Sequence, residues 1–421
     1  MKSMLIRNAI IVSQDINRSV FMGNILIEGN RITYTGPEEK GADEIIDGTG
    51  RIAMPGMINT HCHVAMTHLR GQIDDVPLSS FLERTFKLDG ERTEKGLYNS
   101  ALLGIREMVH SGVTSFLDLY YSEDVIVRAV EKAGIRGFLA WNTLDEDKTT
   151  QRGNPVKNAQ HFISEFRGRD LVTPAIGVQG IYVAGDETYL SALDVADRED
   201  TIIHGHLAET RQEVYNFVKA SKGERPIEHL SKIGFLGPRF IAAHSVWATL
   251  NEVRLLSKAS ASVSWNPVSN AKLGVGGIAP IPEYLNNGVT VSIGSDSTAS
   301  NNSQDVISSM KFGSIWVKND RWNPALTNAQ MLLDMATVNA AASLKRKDIG
   351  AIAPGMLADI VLMDTRNPRM APTTISNAVS NIVYSADTSC VSDVMVNGVF
   401  LKRDGSLLRP EYEDLPFEDY N

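Results

Sequence analysis

The chain has 421 residues, 43% of them hydrophobic and 22% charged, with a formal net charge of -9. This is an ordinary globular balance, and the length admits a barrel of about 250 residues plus a smaller domain. The acidic balance argues against a nucleic-acid backbone as partner, because phosphate contacts need clustered Lys and Arg.

The opening MKSMLIRNAIIVSQD is broken by Arg7 and Asn8 and lacks the continuous apolar core of a secretory signal. No stretch approaches the roughly 20 apolar residues that span a bilayer, so a cytoplasmic protein without a membrane partner is expected. Residues 4–12, 24–36 and 44–56 are rich in Ile and Val and punctuated by Gly, Pro and Asn, which predicts short strands and turns. Residues 358–364, 380–386 and 392–405 have the same texture. Neither end is long enough for a core of its own. The two are expected to pair into one small β-sandwich built from residues 1–55 and 355–421.

Between them the texture alternates. Strand-like runs at 56–64, 113–121, 136–142, 172–180, 201–209, 240–247, 262–268 and 289–297 are separated by helical stretches such as 94–112 and 124–134. Many helical stretches close on Gly, as a C-cap does. Eight such runs predict an α/β fold, a (β/α)₈ TIM-like barrel over residues 56–354.

The chemistry gathers at the ends of these strands, where active sites of such barrels form. His61 and His63 close the first run, and residues i and i+2 of a strand share a face, so both imidazoles can meet one metal ion. His204 and His206 repeat that spacing at the fifth run; one suits a ligand and the other a core residue lower in the barrel. Glu209 stands where strand gives way to helix, a place that a helix dipole alone also favours for a carboxylate. His244 ends the sixth run and Asp296 the eighth. Each is unremarkable alone; together they bring nitrogen and oxygen donors to one end of the barrel. Such a set suits zinc, with one position left open for water. Cys62 and Cys390 are far apart and form no CxxC spacing, so no disulfide framework is expected.

PGMINTHCH, HLAET, AAHSVW, NPVSNAKL, IGSDSTASNN and MATVNAA, in this order, resemble the amidohydrolase superfamily. They are most similar to its branch of methylthioadenosine/S-adenosylhomocysteine deaminases, guanine deaminases and chlorotriazine hydrolases. The resemblance covers nearly the whole chain, PGMLADIVLMD included. It implies that His61, His63, His206 and Asp296 hold one divalent ion, zinc first, with iron or manganese accepted by the same donors. It implies Glu209 as the proton-shuttling glutamate and His244 as the residue that orients the attacking water, with Asp296 accepting the water proton. His204 matches no such role and reads as structural. Binuclear members carry a bridging lysine on the fourth strand; residues 172–180 contain none, which implies a single ion. A homo-oligomer, dimer or tetramer, is implied as well.

Around the substrate the sequence departs from the nucleoside deaminases. Gln179 replaces an expected histidine after the fourth strand, Trp141 an arginine after the third, and Phe81 a tryptophan after the first. Asp89 or Glu91 stands where an acidic residue would hold ribose hydroxyls. Arg152 either brings charge to the pocket or is a solvated loop residue. Gln179 is expected to read a ring edge and Trp141 either to stack on the ring or to pack at the barrel rim. The expected substrate is a small heterocycle. The expected reaction is hydrolytic deamination of a nucleobase or nucleoside-like ring, releasing ammonia. Displacement of chloride or an alkylamine from a triazine is the alternative. An amine must be protonated to leave and chloride need not be, so Glu209 favours deamination. A non-catalytic binding scaffold would predict decay of at least one ligand, and all four are present.

Overall fold

A computed structural model describes residues 2–149 and 151–409. The last part of the expected C-terminal β segment, residues 410–421, lies outside the described residues.

Strands β1 (Ser3–Val12), β2 (Val20–Glu28), β3 (Arg31–Gly36), β4 (Glu44–Asp47) and β5 (Arg51–Pro55) open the chain. β1 pairs with β2 along one edge and, in parallel, with β4 and then β5 along the other. The change of partner coincides with Asn8, whose positive φ interrupts the register. The barrel strands follow: β6 (Met57–Cys62), β7 (Val113–Tyr120), β8 (Arg136–Thr143), β9 (Val172–Val178), β10 (Ile203–Leu207), β11 (Phe240–His244), β12 (Ser262–Trp265) and β13 (Val291–Ile293). They form one parallel sheet in sequence order, and a bridge between Cys62 and Asp296 links its first and last strands at the mouth. Each expected strand run contains one of them. Helices α1 (Leu78–Gly90), α2 (Glu94–His110), α3 (Glu123–Ala133) and α4 (Pro155–Phe166) lie in the first connections.

After the barrel, β14 (Ile360–Asp364), β15 (Val391–Val396), β16 (Val399–Arg403) and β17 (Ser406–Leu407) return to the first sheet. β14 pairs antiparallel with β5, which joins the two ends of the chain into one nine-stranded mixed sheet. Its own core holds Ile6, Ile11, Ile25, Ile27, Ile360 and Leu362. The stretch 380–386 departs from its expected strand: most of it belongs to the helix Ala378–Tyr384. Ala378, Ile382 and Val383 are its buried residues, a spacing of four and five that fits one helical face, and the Ile-Val pair is too short to impose a strand.

The terminal sheet is locked to the barrel floor by a buried ion pair. Arg136, the first residue of β8, donates from Nε and Nη2 to the two carboxylate oxygens of Asp359 at 3.1 and 3.2 Å. Both side chains are almost fully buried. Arg136→Met would leave the Asp359 charge buried and unpaired, and is expected to cost about 3–5 kcal/mol. Denaturant unfolding of the variant reads this loss. Replacing both partners, Arg136→Met with Asp359→Leu, should recover much of it; an unchanged midpoint in the single variant would show that the pair contributes nothing.

Candidate active site

β-strand alternation decides which side chains reach the barrel axis. On β6 the register shifts between Asn59 and Cys62; Cys62 turns outward and donates to Asp118 at 3.2 Å, whereas Thr60 bonds to Ser264 and Ser292. On β10 alternation aligns His204 and His206, with Gly205 between them. A Cβ at Gly205 would lie 2.3 Å from the Val178 carbonyl oxygen, so only glycine lets β9 and β10 approach here. At the strand ends the chain turns through left-handed backbone at Ala208, His244, Ser245 and Asp296. Each such residue costs on the order of 1–3 kcal/mol, strain that tends to collect at functional sites.

The result is one cluster. His63 Nε2 lies 3.3 Å from His206 Nε2, and Asp296 Oδ1 lies 3.5 Å from His63 Nε2 and 3.6 Å from His61 Nε2. His63 and His206 each donate from Nδ1, to the carbonyls of Leu119 and Gln179, both at 2.6 Å. Carbonyls only accept, so each Nε2 keeps its lone pair for the cluster. His61 Nε2 is buried with no hydrogen-bond partner, which a native interior rarely leaves unanswered. Burial holds His61 and His206 well below the usual imidazole range and takes His204 to about 3. Asp296 is oriented by Ser269 Oγ at 2.5 Å and its neighbour Ser297 N at 2.6 Å. Neutral imidazoles with free Nε2 atoms and one carboxylate are the donor set that a divalent cation takes. The residues expected to bind metal therefore fit it.

His244 is built differently. Its Nδ1 faces the side-chain amide nitrogens of Asn270 at 2.8 Å and Asn266 at 3.2 Å. Amide nitrogens donate, so the imidazole proton sits on Nε2, which lies 3.8 Å from Glu209 Oε1. Burial lowers His244 to about 4 and keeps it neutral. His244 is thus a hydrogen-bond donor to the site, unlike His63 and His206. Glu209 is positioned by Glu213, which accepts from the backbone nitrogens of Ala208 at 2.9 Å and Glu209 at 2.8 Å. Burial, then the Asp296 charge, then Glu213 push the Glu209 carboxyl well above the usual carboxylate range.

The expected substrate residues are scattered. Gln179 is at the site: its carbonyl holds His206, and its side chain accepts from Asn142 and donates to Tyr182 Oη at 3.0 Å. Phe81 lies in α1 within a small apolar cluster with Leu69, Ile73 and Ala299, close in sequence to Asp296. Asp89 is closed into a network, accepting from Tyr120 and from Tyr121 Oη at 2.7 Å and pairing with Arg92 at 3.2 Å. Trp141 faces away from the cluster. Its ring lies 5.5 Å from that of Phe162 on α4, and it lines, with Arg152, a separate side cleft of about 520 Å³. Of the two roles open to Trp141, the geometry is that of rim packing, because its strand register turns it to the helix layer; Arg152 lines the same cleft. Asn266, Ser269, Asn270 and Glu213 were not singled out from sequence. Asn266 to Asn270 is an i, i+3, i+4 set within NPVSNAKL, and Glu213 completes the capping box Thr210-x-x-Glu213.

Residues 52–401 match the amidohydrolase family. The chain belongs to that family. This amidohydrolase is 39% identical over 390 residues to a 5'-deoxyadenosine deaminase from Methanothermobacter thermautotrophicus, an alignment covering 91% of this chain and 90% of the relative. Among solved structures it is similar to an adenosine deaminase from Xanthomonas campestris with bound zinc, with TM-score 0.93, 25% identity and coverage of 98% and 96%. An atrazine chlorohydrolase from Arthrobacter aurescens complexed with zinc shares the fold at TM-score 0.90 and 24% identity, covering 98% of both chains. No helix of this amidohydrolase, among the described residues, is long and apolar enough to cross a membrane.

Proposed function

We propose that this amidohydrolase hydrolytically deaminates the adenine ring of a 5'-modified adenosine. The observation that carries the reading is Glu209 Oε1, 3.8 Å from the proton-bearing Nε2 of His244 and in one group with Asp296. A proton carrier, a donor and a base stand together at the open side of the ligand set. The relatedness to a 5'-deoxyadenosine deaminase supports the substrate class.

One divalent ion, zinc first, would be held by His61, His63, His206 and Asp296 and would supply Lewis-acid activation of water. β9 brings no lysine to the site, which supports one ion rather than two. Asp296 accepts the proton of the attacking water. His244 donates from Nε2 to the oxygen as it adds to the ring carbon that bears the amine. Glu209 protonates the adjacent ring nitrogen, takes up the proton of the added hydroxyl and passes it to the departing amine, so the carbon–nitrogen bond breaks with release of ammonia and leaves the oxo ring; the water proton held by Asp296 then restores Glu209. The polar rim of Asn142, Gln179 and Tyr182 faces the substrate. The net charge of -9 supports a small-molecule partner over a nucleic acid.

Ammonia release from zinc-reconstituted protein tests this across 5'-deoxyadenosine, 5'-methylthioadenosine, S-adenosylhomocysteine, adenosine, guanine, cytosine and chlorotriazines. The 5'-modified adenosines are expected to turn over fastest. Chloride release from a chlorotriazine, with no ammonia from any adenosine, would overturn the proposal.

A further inference from the structure

His204 has no place in that chemistry, yet it is the nearest polar neighbour of a proposed ligand. We propose that His204 is a positioning residue that sets the proton of His61 from across the barrel, and so makes His61 Nε2 available to the metal.

The argument starts from an atom that can only accept. His204 Nδ1 lies 2.9 Å from the backbone carbonyl oxygen of Ile241 on β11. That contact requires the His204 proton on Nδ1. His204 is fully buried, so the neutral ring has one proton and Nε2 is left as an acceptor. His204 Nε2 in turn lies 2.8 Å from His61 Nδ1. Two lone pairs would repel there, so His61 carries its proton on Nδ1 and donates it. The lone pair of His61 then falls on Nε2, the buried atom that lacks a hydrogen-bond partner. The opposite tautomers would set lone pair against lone pair at Ile241 and place a proton on the nitrogen that should bind metal.

At His61 a side chain performs the task that backbone carbonyls perform for the other two histidines. His63 and His206 sit higher at the mouth and donate to the backbone carbonyls of Leu119 and Gln179. His61 is fully buried within β6, and its Nδ1 meets the His204 ring rather than a carbonyl. β10 lies four strands away around the barrel, on the far side from β6. A long side chain reaching in from that strand supplies the acceptor, and imidazole can both accept from His61 and donate onward to Ile241.

The inference rests on the metal-binding reading, and its test is zinc affinity rather than turnover. Zinc competition against a chromophoric chelator is measured for wild type, His204→Leu and His204→Gln. Leu removes the acceptor; Gln places an oxygen near the position of Nε2. His204→Leu is expected to weaken zinc binding about 10–100-fold, as loss of partners behind a ligand does, and His204→Gln to restore most of it. Wild-type affinity in the Leu variant, or equal loss in both variants, would overturn the proposal. Should the Leu variant fail to fold, histidine nitrogen NMR of the wild-type zinc form decides instead. A proton on His61 Nδ1 and none on His204 Nε2 is the expected pattern; a proton on His204 Nε2 refutes it. Failure to deaminate any adenosine leaves this affinity readout intact, so the two proposals fail separately.

Discussion

Glu209→Gln is expected to keep its metal and lose turnover. The substitution preserves shape and leaves the proposed ligands His61, His63, His206 and Asp296 untouched. Gln cannot carry a proton to the ring nitrogen or to the leaving amine. General acid–base groups typically contribute about 10²–10⁴-fold, so a loss of that order or larger is expected. Burial pushes the Glu209 carboxyl well above the usual carboxylate range, the direction that suits a proton carrier. The competing view is that Glu209 merely starts the helix Arg211–Ala220. Under it the variant would lose only a few tenths of a kcal/mol of stability, about one exposed dipole contact. Turnover and metal content measured together on the best substrate separate the two. Near-normal turnover with full metal would remove Glu209 from the chemistry. Loss of metal in proportion to activity would make it a ligand instead.

His63→Ala is expected to abolish metal binding and activity together. His63 Nε2 stands between Asp296 Oδ1 at 3.5 Å and His206 Nε2 at 3.3 Å, so its removal opens the centre of the donor set. The wild-type protein treated with a chelator should behave like the variant and, unlike it, recover on addition of zinc. Binding to the native state alone stabilises by about 4 kcal/mol when free metal exceeds its Kd a thousandfold. Zinc should therefore raise the thermal midpoint of the wild type and leave that of His63→Ala unmoved. Elemental analysis after reconstitution should give one ion per chain; two would refute the single-ion reading. A His63→Ala protein that keeps both its zinc and its turnover would sink the ligand assignment.

Much of the barrel and of the donor cluster was legible without coordinates, for local reasons. Strand alternation puts His61 and His63 on one face whatever surrounds them, and the apolar runs that end in His244 and Asp296 mark strand ends by composition. The capping box Thr210-x-x-Glu213 was equally readable and, once seen, explains how Glu209 is held. The terminal strands paired as their shared texture suggested, through β5 and β14. The exception, residues 380–386, shows the limit of texture: Ile382 and Val383 suit either a strand or a helix face, and packing beneath chose the helix.

What depended on the tertiary structure was every choice between residues of identical local pattern. His204 and His206 share a strand, a spacing and a face. Only their depth in the barrel separates them: His206 meets His63 at the mouth, whereas His204 meets the far side of His61. Trp141 was open between a substrate contact and a rim residue, and the register of β8 turns it to Phe162 on α4, whereas the end of β9 leaves Gln179 beside His206. Sequence left Asp89 and Glu91 as alternative places for an acidic residue; the tertiary structure gives Asp89 hydrogen bonds from Tyr120 and Tyr121 and an ion pair with Arg92. Sequence period determines which face a side chain occupies; what that face meets is set by strands that close around it from elsewhere in the chain, and hydrogen bonding and proton placement follow from that meeting.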